Sequence, residues 1–211
     1  MSTSLYILDL DRCAFNSDRF TNDLIAILER TYSIDPQHFR SQLQQSSIGE
    51  IGPDFFACTE AATGQPANII NQLLAGTLEG TDYTYADTGL WVNQRSELGE
   101  PVMVVTVGRN DFQELKFRCA KSLQNLPKTI VRDNKGKVLR EILAGERPDN
   151  LGLTIGQQYD IKVIDDNPRT FEELGPQDHI TQFYLSRPGE KYAGLTVPAY
   201  VTTISSLKEL S

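Results

Sequence analysis

The sequence predicts an α/β protein whose core is a parallel β-sheet, with a helical insertion after the first strand. Beyond residue 100, short apolar runs alternate with single amphipathic segments, the order that gives a parallel sheet covered on both faces. Between residues 17 and 96, apolar side chains recur at helical spacing and no run is typical of a strand. We therefore expect a core of residues 1–16 and 97–211, and a smaller helical part of residues 17–96.

The first strand is the run "LYIL", which leads directly into Asp9 and Asp11. Two carboxylates at one strand end repel each other, and burying either one costs several kcal/mol unless a cation or hydrogen bonds compensate. The sequence must therefore supply a compensating partner.

The helical insertion is predicted from three amphipathic segments. The first begins after residue 17, the second begins at Pro36 with Asp35 as its N-cap, and the third lies in "GQPANIINQLLAGTL". The apolar positions of these segments are Phe20, Leu24, Ile27, Leu28, Phe39, Leu43, Ile69, Ile70, Leu73 and Leu74.

The second half of the chain alternates between the two periods. We predict strands in "PVMVVTVG", "KTIVRD", "DIKVIDDN" and "ITQFYLSR", because each is a short apolar or β-branched run bounded by breaking residues. We predict helices in "NDFQELKFRCAKSL", "GKVLREILAG" and "PRTFEEL", and a closing helix that starts within "TTISSLKEL".

Composition excludes several classes of function. The net charge is −8 and Lys and Arg form no basic stripe, so we expect no nucleic-acid partner. No apolar stretch approaches the roughly 20 residues of a membrane span and no secretory leader is visible, so we expect a soluble, cytoplasmic protein that binds no membrane. The three cysteines and two histidines lie far apart, which argues against zinc and disulfides. The sequence does not indicate an oligomeric state.

Polar side chains follow three of the predicted strands at their carboxyl ends, where open parallel sheets bind ligands. They are Asp9, Asp11, Thr106, Asp165 and Asp166, and Lys135 follows a fourth strand closely. Four carboxylates, a hydroxyl and an amine would repel one another when empty, but they match Mg²⁺ and a phosphate group. We expect a Mg²⁺ cofactor and a small phosphorylated substrate.

These residues resemble the haloacid dehalogenase superfamily. The family's four motifs correspond to "LYILDLDRC", "VMVVTV", "KGKVLREIL" and "IKVIDD", in the family's order. The resemblance covers about residues 5–16 and 97–211, and it implies a Rossmann-like core. The insertion at residues 17–96 carries no matching motif but is similar in position to the C1 cap of that family.

The resemblance implies a Mg²⁺-dependent phosphohydrolase that works through an aspartyl-phosphate. Asp9 would be the nucleophile, Asp11 the general acid and then base, and Thr106 and Lys135 would bind the transferring phosphoryl group. Asp9, Asp165 and Asp166 would hold Mg²⁺ together with the backbone carbonyl of Asp11.

Alternatives remain open at the level of the sequence. The protein could be a phosphomutase or a dehalogenase, although dehalogenases of the family lack an acid at the position of Asp11. It could also bind without turnover. Lys137 is the substitute for Lys135, whereas Lys116 lies in the middle of a helix and is expected to be solvated.

Four further residues near the motifs have more than one interpretation. Arg12 and Cys13 replace the Gly-Thr found in many family members. We expect Cys13 to be a packed small residue, and Arg12 to affect cap contacts or phosphate access. Arg109 and Asn110 could touch substrate, but helix capping is the favoured interpretation.

Overall fold

The sheet of the protein is six-stranded and entirely parallel in a computed structural model, which describes residues 3–47, 52–132, 134–144 and 159–210. The strands are β1 (Thr3–Leu8), β2 (Val102–Val107), β3 (Lys128–Val131), β4 (Tyr159–Asp165), β5 (Ile180–Leu185) and β6 (Val201–Ile204). Their order is β3-β2-β1-β4-β5-β6, with the first strand of the chain in the middle. Helices flank this sheet, which confirms the predicted Rossmann-like α/β class.

The register of the central strands aligns their carboxyl ends. Leu8 pairs with Val104 on one side and with Ile164 on the other. Asp9 and Asp165, each the next residue along its strand, therefore lie at the same level, and the Asp9 amide donates to the Ile164 carbonyl at 2.9 Å.

Alternate residues of β1 face the two halves of the core, as expected for a buried central strand. Leu5 and Ile7 pack into one cluster, while Tyr6 and Leu8 pack into the other. The core helices are α6 (Asn110–Arg118), α7 (Lys135–Leu143) and α8 (Pro168–Leu174). Short 3₁₀ helices at Lys121–Leu123 and Leu207–Leu210 complete this part of the chain.

Between β1 and β2 the described residues form five helices: α1 (Ser17–Tyr32), α2 (Pro36–Ser46), α3 (Phe55–Thr63), α4 (Ala67–Thr77) and α5 (Ala86–Glu97). The three predicted helices correspond to α1, α2 and α4, and Asp35 caps α2 by accepting from the Gln37 and His38 amides. Within residues 17–47 and 52–97 the structure describes no strand of the sheet. None of the described helices is both long and apolar enough to cross a membrane.

Helix α5 packs against the sheet. The ring of Trp91 meets Tyr6 of β1 edge to face, with 4.9 Å between centroids. Asp87 accepts hydrogen bonds from Arg187, which follows β5, and from Ser206 near the chain end. These contacts place α5 beside the core, and the boundary at residue 97 stays a prediction.

The closing helix is predicted to start within residues 202–210, and for residues 202–204 this prediction is wrong. Val201 to Ile204 form the edge strand β6, which pairs in parallel with β5. All four residues are β-branched, and the outer two are buried, so packing on the sheet outweighs the preference of Ser and Thr for helix starts. Only the 3₁₀ turn at Leu207–Leu210 corresponds to the prediction.

Candidate active site

Three buried carboxylates meet at the carboxyl edge of the sheet. Asp9 follows β1, and Asp165 and Asp166 lie at the end of β4. Each offers one oxygen within 4.8 Å of the others, a spacing at which one cation could bind all three. The structure thus brings together Asp9, Asp165 and Asp166 of the predicted site.

The Lys135 ammonium lies between two of these carboxylates. Its Nζ is 2.5 Å from Asp9 Oδ1 and 2.5 Å from Asp165 Oδ2. Lys135 is the first residue of α7 and is buried, whereas the side chain of Lys137 is 58% exposed and lies near Glu141. Of the two lysines considered, Lys135 is the one that reaches the cluster.

Gly136 allows α7 to bring Lys135 this close. A Cβ at this position would lie 2.5 Å from the Thr170 carbonyl oxygen and 2.6 Å from Glu173 Cβ. Helices α7 and α8 therefore contact each other closely at Gly136, where there is no room for a side chain.

The cluster holds three carboxylates against a single ammonium group, that of Lys135, so its negative charge is only partly compensated. Burial raises the pKa of Asp9 to about 7, aided by Asp165 and Asp11 and opposed by Lys135. Burial followed by repulsion from Asp9 and Asp165 raises the pKa of Asp166 to about 9. Asp166 Oδ2 is buried and accepts no hydrogen bond from any residue that the structure describes. A hard cation would coordinate this oxygen and neutralise the negative charge of the carboxylates, so these residues fit Mg²⁺.

Asp11 is compensated separately from this cluster. Its Oδ1 accepts from Lys116 Nζ at 2.6 Å and from Ser17 Oγ at 2.5 Å, and its Oδ2 accepts from Gln113 Nε2 at 2.9 Å. Burial alone would raise the pKa of Asp11, but Lys116 and these hydrogen bonds lower it to about 2. The Asp11 side chain is therefore a fixed carboxylate, directed toward α6 and the start of α1.

The expectation that Lys116 is solvated is wrong. Its side chain is only 7% exposed, because the pair with Asp11 lies within the fold. Gln113, one helical turn earlier on α6, also donates to Val107 O at 2.7 Å and to Thr106 Oγ1 at 3.3 Å. Of the two residues, Lys116 is considered from the sequence but assigned to solvent, and Gln113 is not considered. The i, i+3 spacing of the two residues on the helix after the Thr106 strand was the available signal.

Thr106 lies at the end of β2 and is buried. Its hydroxyl shares Gln113 Nε2 with the Asp11 carboxylate, so one amide connects the two predicted site residues. Gly108 makes room for that amide, since a Cβ there would lie 2.5 Å from Gln113 Nε2.

A cavity of about 550 Å³ opens above the cluster. Its floor includes Asp9, Asp11, Thr106, Lys135 and Asp166. Residues of α1 and α2 supply another part of the wall, including Thr21, Asn22, Ile25, Arg40, Leu43 and Gln44. The helical insertion thus contributes directly to the space in which a ligand would lie.

Arg109 and Arg12 both line this cavity. Arg109 Nη1 binds Asp54 Oδ2 at 2.7 Å, which joins the start of α6 to the N-cap of α3. Arg109 occupies the N-cap position of α6, in line with the favoured interpretation, but its side chain makes no capping hydrogen bond. Arg12 has a φ of 59° and donates to Asp18 at 2.7 Å, so it contacts the insertion as expected.

Cys13 is a packed residue, as predicted. It is buried, and burial together with the nearby acids raises the pKa of its thiol well above the ordinary value. Its Sγ lies 3.8 Å from the Ile164 carbonyl. A thiol held neutral in this way is a poor nucleophile.

Comparisons of sequence find no relatives. No protein-family model matches the chain, and no curated protein matches it. The architecture and the edge cluster nevertheless define a class: a parallel α/β protein with an acidic, lysine-bearing site at the carboxyl ends of its strands.

Comparisons of structure identify the fold as that of the haloacid dehalogenase superfamily, which confirms the resemblance at the level of fold. A haloacid dehalogenase-like hydrolase from Burkholderia xenovorans matches with a TM-score of 0.71 and 13% identity, over 100% of this chain and 95% of that one. A HAD phosphatase from Thermococcus onnurineus gives a TM-score of 0.63 and 16% identity, over 98% and 95% of the two chains. The magnesium-bound HAD-hydrolase YfnB from Bacillus subtilis gives 0.59 and 12%, over 100% and 97%. An L-2-haloacid dehalogenase is also similar, with a TM-score of 0.56 and 12% identity, over 100% and 97%.

Proposed function

We propose that this protein is a Mg²⁺-dependent phosphohydrolase that acts on a small phosphorylated molecule through an aspartyl-phosphate. The observation that carries the proposal is the Lys135 ammonium, held 2.5 Å from both Asp9 and Asp165 beside the unpartnered Asp166 oxygen. This arrangement suits an anion that binds next to a hard cation.

Asp9, Asp165 and Asp166 would hold Mg²⁺, together with the backbone carbonyl of Asp11. When bound, the ion supplies positive charge that neutralises the phosphoryl oxygens. It would also lower the pKa of Asp9, so that the nucleophile is ionised at neutral pH.

The chain's own groups then account for two displacements. The Asp9 carboxylate attacks phosphorus, a new P–O bond forms, and the bond to the leaving oxygen breaks. Thr106 and Lys135 hold the phosphoryl oxygens during this transfer, Thr106 as a hydroxyl donor and Lys135 as a fixed positive charge. Water next attacks phosphorus, the bond to Asp9 breaks, and inorganic phosphate leaves.

Asp11 is the carboxylate placed for proton exchange in these steps. It lies two residues beyond Asp9 and borders the same cavity. In the first step Asp11 would donate a proton to the leaving oxygen, and in the second step it would take a proton from the attacking water. Proton donation in the first step requires a protonated Asp11 and therefore requires the Lys116 contact to loosen, since all three donors to Asp11 favour its ionised form.

The test is phosphate release from p-nitrophenyl phosphate with Mg²⁺ and with EDTA. Asp9→Asn should abolish both turnover and the acid-stable phosphoenzyme, because an amide is a poor nucleophile. Asp160→Asn is the matched control, since that carboxylate begins β4 and lies at the opposite end of the strand from the site. Undiminished turnover in Asp9→Asn, or phosphate mapped to Asp11 in the quenched protein, would contradict the assignment.

Dehalogenation is the second candidate, because an L-2-haloacid dehalogenase shares the fold. The two activities separate in one assay series, with chloride release from 2-chloropropionate measured beside phosphate release. Chloride release without phosphate release would favour the dehalogenase. Mg²⁺ binding with neither release would favour a non-catalytic binding protein.

A further inference from the structure

The cavity is larger than the reacting group requires. At about 550 Å³ it falls within the usual range for pockets that enclose a whole small molecule. The floor residues account for a phosphoryl group and a cation. The remaining wall, which includes residues of α1, α2 and α6, must therefore contact the rest of the substrate.

This wall is rich in cations although the protein carries a net charge of −8. Arg12, Arg40, Arg109 and Lys116 all line it. Three of these charges are already compensated by carboxylates: Arg12 by Asp18, Arg109 by Asp54 and Lys116 by Asp11.

Arg40 differs from the other three. It is an exposed residue of α2, and within the part of the chain that the structure describes no carboxylate forms an ion pair with its guanidinium. An arginine that borders a cavity and has no carboxylate partner among the described residues is suited to bind an anion from the solvent, and its planar fork matches carboxylate and phosphate geometry.

The surroundings of Arg40 suit a small organic ligand. Asn22 and Gln44 provide amide groups on the same wall, while Ile25 and Leu43 provide apolar surface. An anion bound to Arg40 could therefore be part of a larger molecule whose uncharged portion contacts these side chains.

We propose that the substrate carries a second anionic group, a carboxylate or a phosphate, and that Arg40 binds it. The inference rests on the proposed phosphohydrolase function, because that function assigns the first anionic group to the floor. It narrows the substrate class to phosphorylated molecules with an anionic tail.

The experiment compares substrates that differ only in the second anion. We would measure kcat/KM for phenyl phosphate, 4-carboxyphenyl phosphate and 4-(phosphonomethyl)phenyl phosphate with Mg²⁺. A charge-assisted contact should raise kcat/KM for at least one doubly anionic compound about 10- to 100-fold over phenyl phosphate. The two tails show whether carboxylate or phosphate is preferred.

Variants assign the effect to Arg40. Arg40→Met should remove the preference for the anionic tail. Arg40→Lys should keep part of this preference, because lysine retains the positive charge but not the planar fork of arginine. Arg30→Met is the control, because Arg30 is an exposed arginine of the same insertion that does not line the cavity. Equal kcat/KM for all three substrates, or a preference that survives Arg40→Met, would overturn the inference.

A binding measurement keeps this test separate from the test of catalysis. Benzylphosphonate and 4-carboxybenzylphosphonate are not hydrolysed, and calorimetry gives their affinities directly. Tighter binding of the carboxylated compound that is lost in Arg40→Met, without turnover of any aryl phosphate, would refute the phosphohydrolase and support the anion site. Turnover with equal affinities would refute the anion site alone.

Discussion

Replacing Lys116 with methionine should destabilise the protein, because it removes the charge that compensates a largely buried carboxylate. Lys116 Nζ lies 2.6 Å from Asp11 Oδ1, and the two side chains are 7% and 27% exposed. Methionine preserves most of the volume, so the change acts mainly on charge.

The magnitude follows from the pKa of Asp11. Its lowering from the ordinary value of 3.8 to about 2 corresponds to about 2 kcal/mol of folding free energy at neutral pH. Breaking a fully buried pair costs about 3–5 kcal/mol, but Asp11 is partly exposed and keeps Ser17 and Gln113 as donors. We therefore expect Lys116→Met to lower the free energy of unfolding by about 2–3 kcal/mol.

The assay is urea unfolding of the metal-free protein at neutral pH. Lys137→Met is the matched control, because Lys137 is exposed. Its i, i+4 ion pair with Glu141 should contribute less than about 0.5 kcal/mol to the free energy of unfolding. In the double variant with Asp11→Asn, the loss should be smaller than the sum of the two single losses. Since Asp11 has a lowered pKa, its contribution exists above about pH 4 and disappears as the pH falls toward 2, where wild type and variant should converge. A loss no larger than that of the control would refute this account of the pair.

Two other predictions follow from the site and its supporting helices. Asp9 and Asp166 have raised pKa values in the metal-free protein, so the folded state binds more protons than the unfolded state from about pH 4 to about pH 7 for Asp9 and to about pH 9 for Asp166. Stability should fall as the pH rises through this window, by up to about 1.4 kcal/mol per pH unit for each group, and should level off above it. Mg²⁺ should flatten this slope in thermal unfolding. Gly136→Ala should cost about 1–3 kcal/mol in urea unfolding, since its Cβ would meet backbone atoms of α8, whereas Gly76→Ala has open space and should stabilise by a few tenths to 1 kcal/mol.

Strand ends are the part of the site that a sequence can predict. Parallel strands align their carboxyl ends, so a polar residue directly after each apolar run must reach a common edge. For this reason the sequence predicts that Asp9 lies close to Asp165 and Asp166, although Asp9 is more than 150 positions away from them along the chain. Lys135 was also found, because it begins the helix that follows β3.

Residues on helix faces were harder to place. Lys116 and Gln113 lie on α6, and which face of that helix meets the sheet edge depends on how Phe112 and Leu115 pack. Hydrophobic periodicity gives an apolar face but not its rotation relative to a distant strand end. The position of Arg40 depends in the same way on how α2 packs over the core, which no local pattern specifies.

The two carboxylates of the opening strand are stabilised by different partners, and this separates their chemistry. Asp9 shares the single Lys135 ammonium with Asp165 and lies beside an Asp166 oxygen that accepts no hydrogen bond from the described residues, so its charge is only partly compensated until a cation binds. Asp11 has Lys116 and two further donors, so it is ionised without a metal. Neighbouring acids whose pKa values are driven apart are suited to different roles. In the proposed function, the carboxylate whose ionisation depends on a cation would be the nucleophile, and the carboxylate that is ionised without one would exchange protons.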